Sequence, residues 1–169
     1  MTNLTKDNNK EDIVLLFLNV CSKIEGLSAE LYHYYSELFH DDEESSKLWK
    51  KTALEEENHQ KLFDLAIRLR HECEIEIVTD YNKACRVHEK LTALLSHVRV
   101  TPPDIFLAIT KAIEMESALA DLHIDSSIKF SDIQIKNMFK SLQGHDQEHV
   151  DALRHHHSIL FLPRTEMVP

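Results

Sequence analysis

Four segments of the chain each carry an acidic residue where a row of apolar residues should continue. In the first, the row is Val14, Leu18, Cys21, then Glu25, then Ser28 and Tyr32. In the second it is Trp49 and Thr52, then Glu56 and His59, then Phe63 and Ala66. In the third it is Ile109, Ala112 and Ile113, then Glu116, then Leu119 and His123. In the fourth it is Phe139 and Leu142, then Asp146 and His149, then Leu153. Residues three and four apart share one face of a helix, so each row marks a face turned to a core. A lone ionised carboxylate is very costly to bury unless it is paired or bound to metal. Four of them near one level of one core would also repel each other. Two divalent cations remove the problem by supplying the compensating charge. The spacing suits this, because Glu56 with His59, and Asp146 with His149, can each bind an ion as an i, i+3 pair. Glu25 and Glu116 would then bridge or cap the pair.

The elements that must position these residues are long helices. The periodicity predicts helix 1 from about Lys10 to Phe39 and helix 2 from about Glu43 to His71. Asp41 with Glu44 resembles a capping box at the start of the second. Glu72 to Val78 alternates and reads as extended, followed by a shorter helix from Asp80 to Val98 with Thr79 as its N-cap. Thr101-Pro102-Pro103-Asp104 signals another start, with Thr101 as N-cap and a helix running to about Lys129. Ser131 with Gln134 is a further capping box, opening a last helix from about Asp132 to Leu160, and residues 1–9 and 162–169 read as frayed tails. Two helices, a long crossover holding a short extra helix, then two more helices make one all-α domain: a four-helix bundle of ferritin-like topology.

Composition agrees with this and excludes other classes. Only 2 Gly and 4 Pro occur, too few for the many turns of a sheet protein. The formal charge of -10 opposes binding to nucleic acid or to an anionic membrane surface. The longest apolar run, Ile13 to Leu18, is far short of the ~20 residues that span a bilayer. The polar start MTNLTKDNNKED has no secretory h-region. Cys21, Cys73 and Cys85 form no CxxC pair and read as reduced thiols of a cytoplasmic protein.

The two halves of the chain also match each other. KIEGLSAELY around Glu25 parallels EMESALADLH around Glu116, with Ala four on, Leu six on, and Tyr32 or His123 seven on. EEENH before His59 parallels HDQEH before His149, with Trp49 and Phe139 equally far upstream. The offset is 91 residues between Glu25 and Glu116 and 90 between Glu56 and Asp146, as two related helix hairpins sharing one site would require. A glutamate from each of two helices plus Glu-x-x-His from each of two others is the di-iron carboxylate pattern. On these residues the chain resembles the rubrerythrin-like branch of the ferritin-like superfamily, from Asp12 to about Leu160.

The resemblance implies two iron ions, with manganese or zinc as substitutes, held by Glu25, Glu56, His59, Glu116, Asp146 and His149. It implies a redox protein acting on peroxide or oxygen, of the peroxidase type, with Glu25 and Glu116 shifting their coordination and Tyr32 fixing a carboxylate through its hydroxyl. Electrons would come from a separate donor protein, because the family's iron–cysteine domain is absent here. The chain departs from the family in Asp146, where Glu is usual, in His123, where a second tyrosine is usual, and in Leu119, where an extra glutamate stands.

Plainer readings remain beside these. Any single ExxH, including Glu56 with His59, can lie on a solvated face. His145 and His149, four apart, define a rival register to Asp146 and His149. His123 can be a hydrogen-bonded core histidine, and Tyr32 can be ordinary packing. His155, His156 and His157 point in different directions along a helix, which favours a surface or structural role over a metal tract. Gly26 and Gly144 lie near proposed ligands, where close helix approach, room for a small oxidant or a neutral surface position would each account for them. Two rival functions stand beside the redox reading: iron binding or sensing without turnover, and a metal-free interaction module. A homodimer through helix faces fits any of the three.

Overall fold

The computed structural model describes residues 4–69, 81–129 and 132–161, and these are helical apart from short connections. The elements are α1 (Leu4–Leu38), α2 (Glu43–Leu69), α3 (Tyr81–Val100), α4 (Ile105–Lys129) and α5 (Ile133–Phe161). No strand occurs among the described residues. The expected extended run at 72–78, the Thr79 cap and Cys73 lie outside them, as does the end of helix 2 beyond Leu69. α1 packs on α2 and α4 on α5 as two helix hairpins, α2 meets α5, and α3 lies against α1 and α4. The chain is thus an all-α bundle, with the 20-residue α3 inside the long connection between the hairpins. None of the described helices is long and apolar enough to cross a membrane.

Helix starts fall one to three residues beyond the expected caps. At α2 the cap is Asp42: its Oδ1 accepts from the Glu44 and Ser45 amides, and its Oδ2 from the Ser45 hydroxyl at 2.8 Å. At α4 it is Asp104, which takes the Leu107 amide at 2.7 Å, rather than Thr101. Pro102 and Pro103 lack amide hydrogens and hold the chain outside the helix, so the first residue after them with a cap side chain serves. At α5 Asp132 accepts from the Gln134 and Ile135 amides, and Ser131 lies outside the described residues. His156 is buried on the Ser45 hydroxyl at 2.7 Å, whereas His155 is exposed and His157 packs on Phe106 and Phe161. The histidine run is therefore split three ways by the helix, as expected. Cys21 is buried and Cys85 half-buried, both as free thiols.

Two aromatic groups bracket the middle of the bundle. Toward one end Tyr32 stacks on Trp49, which also meets Tyr35. Toward the other, Phe139 lies 6.1 Å from Phe17 and 5.5 Å from Phe63. All six rings are essentially inaccessible to solvent. Burying each contributes roughly 1.5–3 kcal/mol. A buried charge costs several kcal/mol even after relaxation. One uncompensated carboxylate between these groups would cancel one or two of the rings.

Candidate metal centre

Between the two aromatic groups each long helix turns a carboxylate inward. Glu25 from α1, Glu56 from α2, Glu116 from α4 and Asp146 from α5 all have no solvent exposure. His59 and His149 lie one turn along α2 and α5 and are also buried. The solvated-face reading of Glu56 and His59 is thus not the arrangement found. The helix period brings these side chains together, because each acid interrupts an apolar face directed at the same core.

The ligand atoms fall into two triads. Glu25, Glu56 and His59 form one and Glu56, Glu116 and His149 the other, with the donor atoms of each within 4.8 Å of one another. Glu56 is the shared member. Its Oε2 lies 3.1 Å from His59 Nδ1, and its Oε1 lies 2.9 Å from His149 Nδ1. Glu25 Oε2 stands 3.5 Å from His59 Nδ1, and Glu116 Oε2 stands 3.2 Å from His149 Nδ1. Glu25 and Glu116 therefore each belong to one triad, while Glu56 belongs to both.

Asp146 is buried at the same level but belongs to neither triad. Its Oδ2 accepts from His123 Nδ1 at 2.6 Å. The other nitrogen of His123 faces Glu25 Oε1 at 3.2 Å, and the ring lies against Phe63 and Phe139. The core-histidine reading of His123 fits this contact. Tyr32 donates its hydroxyl to Glu116 Oε1, as expected of a residue that fixes a carboxylate. Tyr32 and His123 thus play mirrored parts, each seven residues after one carboxylate and touching the other.

The mirror extends to two residues outside the apolar faces. Glu55, just before Glu56, accepts from His149 Nε2 at 3.0 Å. His145, just before Asp146, meets His59 Nε2 with its Nδ1 at 3.1 Å, the two rings stacked nearly parallel. Both inner histidines therefore point Nδ1 into the centre and Nε2 outward. Metal-binding histidines are commonly oriented in this way by a partner on the far nitrogen. The repeat carries a signal for Glu55 and His145, since each precedes a proposed ligand by one residue. His145 is exposed and belongs to neither triad, although its ring, like that of His149, stacks on His59. A cleft of about 430 Å³, lined by Glu55, Asn58, His59, Leu62, His145 and His149, reaches the outer edges of the two histidines.

Electrostatics set the protonation of the metal-free cluster. Burial favours the neutral form of Glu25, but the facing His123 and His59 rings outweigh it and hold the carboxyl near about 2. Burial lowers His59 and His149, yet the facing carboxylates override it. Glu25 and Glu56 lift His59 to about 10, and Glu116 and Glu56 lift His149 to about 11. Asp146 and Glu25 likewise outweigh burial at His123 and raise it to about 10. Burial and the Glu56 charge raise Glu116, and burial raises Asp146 against the pull of His123. Burial and the Glu116 charge raise Tyr32.

The donor set accommodates cations. Both oxygens of Glu25, Oε1 of Glu56 and Oδ1 of Asp146 are buried and make no well-aligned hydrogen bond. Buried polar atoms are nearly always satisfied, so such atoms facing one another point to a missing positive partner. Carboxylate oxygen and imidazole nitrogen together suit iron, manganese and zinc. No protein-family model, curated protein or solved structure matches the chain.

Proposed function

We propose that the chain is a non-haem di-metal carboxylate protein of the rubrerythrin-like, ferritin-like type, holding iron and acting on peroxide or oxygen. The observation that carries this reading is the pair of buried triads sharing Glu56. Glu25, Glu56 and His59 would hold one ion, and Glu56, Glu116 and His149 the other. Iron held there supplies one-electron redox chemistry toward peroxide or oxygen.

The chain's own residues do the rest. Glu56 holds the two positions together, and Glu25 and Glu116 cap them. Tyr32 keeps Glu116 oriented through its hydroxyl and is the nearest proton donor to that carboxylate. Glu55 holds the outer nitrogen of His149, fixing the tautomer that presents Nδ1 inward. The aromatic groups on both sides exclude water, and the cleft beside His59 and His149 would bring a molecule as small as peroxide as far as their rings. Reducing equivalents come from a separate donor protein.

Iron binding or sensing without turnover is the second reading. It is favoured by Asp146, which His123 engages instead of leaving it free to bridge. Steady-state peroxide consumption by iron-loaded protein with a supplied reductant separates the two. Turnover that is lost in His59→Ala, together with its metal, upholds the redox reading. Full metal content with no turnover leaves the binding reading. Unchanged metal content in His59→Ala removes the ligand set altogether.

A further inference from the structure

The mirrored halves of the centre are not chemically equal. On the Glu116 side, the outer nitrogen of His149 rests on a carboxylate, Glu55, at 3.0 Å. On the Glu25 side, the outer nitrogen of His59 rests on another imidazole, His145, at 3.1 Å. A carboxylate partner fixes the histidine tautomer and raises the basicity of the inner nitrogen, whereas a neutral ring does neither as well. The carboxylates differ in the same direction. Glu116 is held by the neutral Tyr32 hydroxyl and keeps Oε2 toward the centre. Glu25 faces His123, whose two ring nitrogens address Asp146 at 2.6 Å and Glu25 at 3.2 Å. Neither oxygen of Glu25 makes a well-aligned hydrogen bond, so Glu25 is held less firmly than Glu116. The His123 ring withdraws Asp146, the remaining carboxylate that could serve the pair.

We propose that the two cation positions are unequal, with the Glu56–Glu116–His149 position filled first and the Glu25–Glu56–His59 position filled only at higher metal concentration. This rests on the di-metal reading above. Filling of the second position then follows the surrounding metal level.

Anaerobic titration of cobalt(II) into the metal-free full chain tests this, read by visible absorption and calorimetry. The expected result is two phases, the second at least roughly tenfold weaker, the scale on which outer-sphere partners act. Glu55→Gln, at a partly exposed position, should weaken the first phase by roughly 10- to 100-fold and leave the second. His145→Ala, at an exposed position, should leave the first phase unchanged. His123→Tyr, which copies the Tyr32 side of the mirror, should strengthen the second. Two equal phases in the unaltered chain overturn the proposal. So does His145→Ala weakening the first phase as much as Glu55→Gln does. No cobalt binding at all overturns the di-metal reading beneath it, a result distinct from equal binding.

Discussion

Glu56 is the residue on which the centre turns, because both triads use it. Glu56→Ala is expected to remove both metal positions, whereas Glu25→Ala and Glu116→Ala should each remove one; elemental analysis of the three variants checks this. The histidines also make the metal-free chain sensitive to pH. His59 and His149 are raised to about 10 and about 11 from 6.5, so their contribution to stability is complete below about 6.5. It is lost as pH rises through about 10 to 11. Glu25 has the opposite sign: its contribution is present above its ordinary 4.5 and lost as pH falls toward about 2. Denaturant melts of metal-free protein across pH should show an alkaline loss, and metal should relieve it, because an ion replaces the Nδ1 protons. At this scale the inward-facing acids were legible, since each breaks an apolar face. Glu55 was not, because it stands one residue off those faces, and His145 suggested a rival ligand rather than a partner of His59. The double contact of His123 depends on a ring orientation that spacing does not encode.

The helices themselves were legible from period, their ends less so. TPPD offers two cap residues three apart, and only the backbone limits of Pro102 and Pro103 select Asp104. HDDEE likewise offers Asp41 and Asp42, and Asp42 is selected by the reciprocal contact from Ser45. Replacing Asp42 with Ala should cost about 1 kcal/mol by loss of the α2 cap, measurable by urea unfolding. The two helical glycines divide as the sequence left open. A Cβ at Gly26 would lie 2.7 Å from the Gln60 amide nitrogen, so this glycine leaves room for that side chain of α2. A Cβ at Gly144 would meet nothing within 4 Å. Gly144→Ala should therefore stabilise α5 by about 1 kcal/mol and raise Tm by roughly 2–4 °C, whereas Gly26→Ala should gain less because Gln60 must move. Calorimetric scans of both variants check the contrast.

For the whole molecule, a charged centre lies between two buried aromatic groups. Core burial stabilises the bundle, and the cluster opposes it unless cations or protons balance the acids. Metal at a hundred times its Kd should add about 2.7 kcal/mol of stability, lost again on chelation. Thermal melts before and after metal removal measure this. Hairpin pairing and the long connection through α3 followed from the order of periodic segments, while the unequal chemistry of the two halves emerged only from side-chain contacts. The most direct measurement is metal stoichiometry by elemental analysis, on untagged protein expressed with added iron, purified without chelator and brought to saturation with ferrous iron under anaerobic conditions. The di-metal account predicts about two ions per chain, as such bundles hold. No bound metal under those conditions would contradict it and leave a helical interaction module in its place.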